Sequence, residues 1–190
     1  MLDGIDKAGK NTQARLLAEN LQKMGLKVNS VSFPDYDTSL GREIRRFLQG
    51  EVNYRPEVRQ LLYVANRWER ESDIRKWLDE KNYVVSDRYM QAGLVYGLVN
   101  GLKLDWMLGM EKGLPNADLV IILDISPETA VERERADDIY EKDLSFQKMI
   151  RSTYLDLGKR LGWRIVNGYQ EPSKVAVDVL RNVKSVFGLK

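Results

Sequence analysis

The first twelve residues contain the part of the sequence whose residue types and spacing most directly suggest chemistry. Gly4, Gly9 and Lys10 have the spacing of a phosphate-binding loop, GxxxxGK[ST]. In such a loop the glycines allow backbone N–H groups to converge on phosphate oxygens, and the lysine reaches the outer phosphates. The pattern predicts a nucleotide-binding site, although a glycine-rich turn between a strand and a helix would have the same composition.

A helix is predicted directly after this loop, because Ala14, Leu17, Leu21 and Met24 fall at helical spacing. The N-terminus of that helix would direct unpaired N–H groups at an anion, which favours the phosphate-binding interpretation. Asn11 departs from the pattern, since a Ser or Thr hydroxyl normally ligates magnesium at this position.

Composition restricts the chemistry that the chain can perform. The 190 residues include no cysteine and no histidine. Disulfides, thiol nucleophiles and thiolate metal sites are therefore excluded, and the usual general base is missing. Lys and Arg number 30 against 28 Asp and Glu, so the net charge of +2 gives no case for binding nucleic acid or a membrane surface.

The length and patterning of the chain indicate one domain covering residues 1–190. No linker or sharp change of composition divides it. No apolar run approaches membrane-spanning length, and the N-terminus lacks the pattern of a secretory signal, so we expect a cytoplasmic protein.

Predicted strands alternate with predicted helices. Four segments have the alternating or continuously apolar pattern of strands: 27–33, 83–86, 119–123 and 163–166. This alternation favours a parallel α/β sheet with helices on both faces. Ligands bind beyond the carboxyl ends of such strands, where Asp87 could hold a metal and Arg88 a phosphate.

The helix predicted to begin at Pro56 has two distinct faces. Its apolar stripe, predicted to face the core, consists of Val58, Leu61, Ala65 and Trp68. Tyr63 and Arg67 lie four residues apart on roughly the opposite side. A flat, hydrogen-bonding ring could bind to this pair, but a solvated basic face with an incidental tyrosine would have the same spacing.

The segment 132–143 is nearly all charged and includes Arg133. A solvated helix end and a mobile lid that brings arginines to a phosphate have the same composition, so the run alone leaves both possibilities open.

Several segments, taken in order, closely resemble the thymidylate kinase family. They are residues 4–13, 33–34, 61–69, 87–89, 113–118 and 140–141. The resemblance runs in register over nearly the whole chain. It implies a three-layer P-loop NTPase fold with a five-stranded parallel sheet flanked by helices. It further implies phosphorylation of dTMP to dTDP with ATP and Mg²⁺, usually by a homodimer.

The resemblance also implies roles for residues by position. The phosphate-binding loop would comprise Gly4, Ile5, Asp6, Lys7, Ala8, Gly9, Lys10, Asn11 and Thr12. The dTMP site would be formed by Asp6, Phe33, Pro34, Tyr36, Leu48, Tyr63, Arg67, Arg88, Tyr96 and Tyr140. Catalysis would depend on Lys7, Lys10, Arg88 and Arg133, with Asp87 and Asn11 near the magnesium ion.

Within that site, Tyr63 would stack on thymine, Arg67 would bond its O4 atom, and Asp6 would contact the deoxyribose 3′-hydroxyl. Arg88 would bind the dTMP phosphate. Tyr36 departs from many relatives, which carry an arginine there that helps to bind the monophosphate.

A phosphate monoester is already ionised near neutral pH, so this reaction needs no general base and is compatible with the absence of histidine. Two other functions stay open. A nucleoside kinase on the same scaffold would need a carboxylate base, for which Asp35 is the candidate. A catalytically silent nucleotide-binding protein is suggested by Asn11 and by the two residues before Asp3, where a full strand is expected.

Overall fold

A five-stranded parallel sheet forms the centre of the fold. The computed structural model describes residues 1–133, 140 and 143–189. The strands are β1 (Leu2–Asp3), β2 (Val28–Ser32), β3 (Tyr83–Asp87), β4 (Ile121–Asp124) and β5 (Arg164–Asn167). Their order across the sheet is β2-β3-β1-β4-β5, and every pairing is parallel. The predicted α/β class and strand number are confirmed.

Helices connect the strands and cover the sheet. In the described ranges they are α1 (Lys10–Lys23), α2 (Ser39–Leu48), α3 (Pro56–Trp68), α4 (Glu71–Asp79), α5 (Met90–Val99), α6 (Leu104–Glu111), α7 (Pro127–Arg133), α8 (Leu144–Leu161) and α9 (Pro172–Phe187). Helix α1 packs against α9, and α5 packs against α8. None of these helices combines the length and the apolar character that crossing a bilayer would require.

The main core lies between the sheet and its flanking helices. Ile121, Ile122 and Leu123 of β4 are all buried, as the continuous apolar run predicts for a strand covered on both faces. They belong to one apolar cluster with residues of α1, α8 and α9, such as Leu21 and Ile150. The central strands are thereby fixed from both sides.

Strand register brings the chemically interesting loops to one edge of the sheet. Leu2 of β1 pairs with Asp87 of β3, and Ser32 of β2 pairs with that same residue. The segments that leave β1, β2 and β3 therefore start side by side at the carboxyl edge. These segments are the phosphate-binding loop, Phe33-Pro34 with a cis peptide bond, and Arg88.

The predicted core stripe of α3 is wrong. Val58, Leu61 and Trp68 are 40%, 50% and 42% exposed, whereas Arg67 on the other side is only 2% exposed. The physical reason is that α3 packs this polar side towards α2 and α5. The alternative of a solvated basic face is excluded by the same burial of Arg67.

Candidate nucleotide and acceptor site

The loop between β1 and α1 is shaped by residues with unusual backbone angles. Gly4 and Gly9 have φ values of 141° and 92°, and Lys7 has φ 61°. A side chain at Gly4 would place its Cβ 2.5 Å from the carbonyl oxygen of Leu123. Glycine is therefore required where the loop passes β4, and this close passage sets the direction in which the loop enters α1.

The N-terminus of α1 provides donors for an anion. Helix α1 begins at Lys10, and no side chain of the described residues caps it at Gly9. The first N–H groups of a helix have no partners within it, and without a side-chain cap those of α1 are placed to bind a phosphate. The Lys10 ammonium donates to the carbonyl oxygen of Ile5 at 2.7 Å and lies 3.9 Å from an Asp6 carboxylate oxygen.

Burial, followed by the nearby charge of Arg88, lowers the pKa of Lys10 to about 8. A phosphate in the loop would stabilise the charged ammonium and raise that pKa again, because opposite charges favour ionisation. Anion binding and protonation of Lys10 are thus coupled.

A groove of about 750 Å³ opens in front of this helix terminus, and we call it the nucleotide groove. The predicted residues that line it are Lys7, Ala8, Gly9, Lys10, Asn11, Thr12, Asp87, Arg88 and Arg133. Gly4 and Ile5, at the start of the loop, are buried. Arg133, the last residue of α7, donates to the carbonyl oxygens of Lys7, at 3.3 Å, and Gly168, at 2.7 Å. Its side chain therefore extends from α7 over the groove.

A second cavity of about 350 Å³, which we call the acceptor cavity, adjoins the nucleotide groove. All ten residues predicted for the dTMP site line it: Asp6, Phe33, Pro34, Tyr36, Leu48, Tyr63, Arg67, Arg88, Tyr96 and Tyr140. Phe33, Pro34, Tyr36 and Arg88 line both spaces. The two spaces therefore meet beside Arg88, where groups bound in each of them would come together.

Arg88 is the central cation of this junction. Its backbone has φ 62°, and its guanidinium pairs with the Asp6 carboxylate and lies 3.3 Å from Oδ1 of Asp3. The Tyr96 hydroxyl donates to the other Asp6 oxygen at 2.9 Å. Burial by itself raises the pKa of Asp6, but the charges of Arg88 and Lys10 outweigh it and hold that pKa below its usual value.

Sequence reasoning missed Asp3 and Tyr154 as parts of this network. Asp3 is fully buried and accepts hydrogen bonds from the Tyr154 hydroxyl at 2.8 Å and the Gly4 N–H at 2.9 Å. Burial raises the pKa of Asp3 despite the opposing charge of Arg88. The spacing of Tyr154 within α8 indicates only a core position, so no sequence signal links it to the loop.

A buried ion pair holds Arg67 at the wall of the acceptor cavity. Its guanidinium donates to both carboxylate oxygens of Glu111 in α6, with an Nε–Oε2 distance of 3.0 Å. Arg67 and Glu111 are 2% and 4% exposed. A bidentate pair of this kind fixes the guanidinium plane at the cavity wall, next to Gly93. Glu111 was not predicted, because an isolated acid in a short helix carries no signal.

Asp35 is not available as a general base. Its carboxylate pairs with Arg70, and its backbone N–H donates to Asn66 at 2.8 Å. It is also absent from the residues lining the nucleotide groove and the acceptor cavity. The arrangement therefore argues against the nucleoside kinase alternative.

Tyr140 belongs to the predicted lid segment 132–143, of which residues 134–139 and 141–142 lie outside the described residues. Its ring stacks on Phe146 with centroids 5.2 Å apart and meets Tyr96 edge-on at 5.4 Å. Arg59 donates to the Tyr140 hydroxyl at 2.7 Å. These contacts hold Tyr140 at the rim of the acceptor cavity.

Comparison with known proteins identifies the family. A family model for thymidylate kinase matches residues 2–179. A thymidylate kinase from Dictyostelium discoideum is 34% identical over 191 residues, covering 98% of this chain and 85% of the relative. One from Danio rerio is 30% identical over 193 residues, covering 100% of this chain and 91% of the relative.

Among solved structures, the thymidylate kinase of Candida albicans superposes with a TM-score of 0.88 at 26% identity, over 100% of this chain and 92% of that one. Sequence and fold therefore agree over nearly the full length of the chain. The chain belongs to the thymidylate kinase family.

Proposed function

We propose that this protein transfers the terminal phosphoryl group of ATP to dTMP and forms dTDP and ADP. The observation that carries this proposal is the meeting of the nucleotide groove and the acceptor cavity beside Arg88. A donor in the groove and a monophosphate in the cavity would present their phosphates to each other there. Family membership supports the same pair of substrates.

The chemistry requires positioning and charge neutralisation more than proton transfer. The acceptor phosphate has its second pKa near 6, so its oxygen is already a competent nucleophile at about pH 7. Charge that accumulates between donor and acceptor would be neutralised by Lys10, Lys7, Arg88 and Arg133, and fixed cations of this kind accelerate phosphoryl transfer.

In the acceptor cavity, Tyr63 would stack on the thymine ring and Arg67 would donate to its O4 atom. Asp6 and Tyr96, which share a hydrogen bond, would contact the deoxyribose. Phe33, Pro34 and Leu48 would complete the apolar wall. Support for these roles comes from their common position around one cavity large enough for a nucleotide monophosphate.

Magnesium fits the residues at the phosphate end of the groove. Oδ1 of Asp87 is buried and has no hydrogen-bond partner among the described residues, although Asp87 lines the groove. In the described ranges no cluster of three or more acidic side chains could hold a metal alone. This suits Mg²⁺, which binds through one carboxylate, water and nucleotide phosphates and would neutralise phosphate charge.

The proposed function is tested by an assay with ATP, Mg²⁺ and either dTMP or thymidine. We expect ADP and dTDP to form with dTMP and no turnover with thymidine, because Asp35, the candidate base for a hydroxyl acceptor, lines neither the groove nor the cavity. Turnover of thymidine alone would support the nucleoside kinase alternative. Binding of ATP without turnover of either compound would support a silent nucleotide-binding protein.

Asn11 is expected to weaken the use of magnesium. A hydroxyl at this position is a compact oxygen ligand, whereas the longer Asn side chain also carries an amide N–H₂ that repels a cation. The neighbouring Thr12 lies about 100° around the helix and cannot replace it without a shift of the loop. Asn11→Thr should therefore raise kcat or lower, severalfold, the Mg²⁺ concentration for half-maximal activity.

A magnesium titration of both proteins measures this effect. Superimposable curves with equal plateaus would contradict it and would mean that phosphates, water and Asp87 suffice. Activity found only in Asn11→Thr would favour the silent-protein alternative for the native sequence.

We also propose that two copies associate through the apolar stripe of α3, defined by Val58, Leu61 and Trp68. The proposal is supported by their exposure and by their helical spacing, which gives one continuous apolar face. A two-fold symmetric dimer would cover this face with the same face of a second copy.

Leu61→Glu is expected to convert the dimer into a monomer, because it would bury carboxylates against an apolar partner. Light scattering coupled to gel filtration measures the mass. Leu161→Glu is the matched control, since Leu161 is 56% exposed at the end of α8 and should leave the mass unchanged. A wild-type protein that is monomeric at assay concentrations would refute the dimer.

A further inference from the structure

Arg45 of α2 lies beside the junction of the two spaces, in a position that no sequence motif assigns. Its guanidinium carbon is 4.5 Å from the centroid of the Tyr36 ring. Arg45 lines the acceptor cavity, and Tyr36 lines both the cavity and the nucleotide groove. The guanidinium is therefore held at the groove end of the cavity by a cation–π contact.

The other arginines of α2 are occupied elsewhere. Arg46 pairs with Glu43 at 2.8 Å and with Glu51 at 3.2 Å. Arg42 donates to the Asp37 carbonyl oxygen at 2.7 Å and to the Ser39 hydroxyl at 3.0 Å. Arg45, in contrast, forms no ion pair with any described residue. A guanidinium above an aromatic face keeps its N–H donors directed outward, ready for an anion.

The charges around Arg88 create a need for such a cation. Arg88 and Lys10 contribute two positive charges, and both lie close to the carboxylates of Asp6 and Asp3. Asp6, whose pKa is held below its usual value, therefore offsets part of this positive charge. A monoester phosphate carries nearly two negative charges near pH 7 and is held firmly only where positive charge is in excess.

We propose that Arg45, supported by Tyr36, binds the phosphate of dTMP together with Arg88; this inference rests on the proposed function. Tyr36 stands where many relatives are expected to carry an arginine for the same phosphate. Here the cation would come instead from Arg45 of α2, the helix that follows Tyr36 in the chain. Tyr36 then acts as the platform that orients it.

The test compares the affinities of dTMP and thymidine, measured by calorimetry on the full chain. Arg45→Gln should weaken dTMP binding about tenfold or more, the loss expected for a charge-assisted contact. Thymidine has no phosphate, so its affinity should not change. The matched control is Arg46→Gln, which removes an exposed cation of the same helix and should leave both affinities unchanged.

Unchanged dTMP affinity in Arg45→Gln would overturn the proposal, and so would an equal loss for thymidine, which would indicate a structural role. If wild-type protein turns over dTMP but Arg45→Gln binds it normally, only the role of Arg45 fails. A wild-type protein that neither binds nor phosphorylates dTMP would refute the proposed function and this inference with it.

Discussion

Replacing Arg88 by methionine should lower kcat for dTMP phosphorylation by about 100-fold or more, the usual cost of losing one charge-stabilising donor in a transition state. Arg88 lies where the nucleotide groove and the acceptor cavity meet, so its charge acts where negative charge accumulates during transfer. The KM for dTMP should change less than kcat, because only contacts stronger in the transition state accelerate the reaction.

Lys10→Ala should be at least as severe, and Lys7→Ala should also reduce kcat. Steady-state kinetics with each substrate varied in turn measure these effects. Arg15→Met is the matched control, because Arg15 is an exposed residue of α1 that pairs with Glu19, away from both spaces. Its kcat should equal that of the wild type.

Arg88→Met also removes one of the partners of both Asp6 and Asp3, so thermal unfolding must be followed alongside the kinetics. A protein that is folded at the assay temperature, with unchanged kcat and raised KM for dTMP, would show that Arg88 only binds the ground state. Full kcat in Lys7→Ala would remove Lys7 from the catalytic group.

The elements that follow from local patterns were predicted well. The continuous apolar run at 119–123 becomes the buried strand β4, and Pro56 occupies the first turn of α3. Gly4, Gly9 and Lys10 form the predicted loop before α1. Each of these features depends on residues close together in sequence, so spacing alone is sufficient to identify it.

The buried face of α3 could not be predicted in this way. Apolar residues at helical spacing indicate that a stripe will be covered, but they do not indicate what will cover it. Here the chain turns the side of Arg67 inward, since Glu111 of α6 compensates its charge. Helix α4 was not predicted either. Its residues Ile74 and Trp77 pack in a small cluster with Phe33 and Tyr89.

In the site as well, residues within motifs were predicted, whereas contacts between elements that are distant in sequence were not. Resemblance assigned ten of the residues that line the acceptor cavity. Those that follow strands, such as Phe33 and Arg88, converge because parallel strands end at one edge of the sheet. The partners of those residues were not predicted. Asp3 with Tyr154, and Arg45 with Tyr36, are pairings between elements, and no spacing in the sequence specifies them.

A substitution of Arg67 is expected to affect both stability and dTMP binding, so the two effects must be measured separately. Arg67→Met should raise the KM for dTMP strongly, since losing a charged hydrogen bond to a carbonyl costs about 1.5–3 kcal/mol in binding. The KM for ATP should stay nearly unchanged. The same substitution leaves Glu111 buried without its partner, and breaking a buried pair costs about 3–5 kcal/mol of stability.

The double variant Arg67→Met/Glu111→Leu distinguishes the two effects. Replacing both members of a buried pair by apolar side chains is often neutral for stability, so its unfolding free energy should recover towards the wild-type value. Its KM for dTMP should nevertheless stay as high as in Arg67→Met, because the donor to thymine is still missing. Denaturant unfolding and steady-state kinetics of the wild type, both single variants and the double variant measure the two quantities independently. A double variant with wild-type KM for dTMP would show that Arg67 only supports the fold, and an equal rise in the KM for ATP would contradict its assignment to the thymine base.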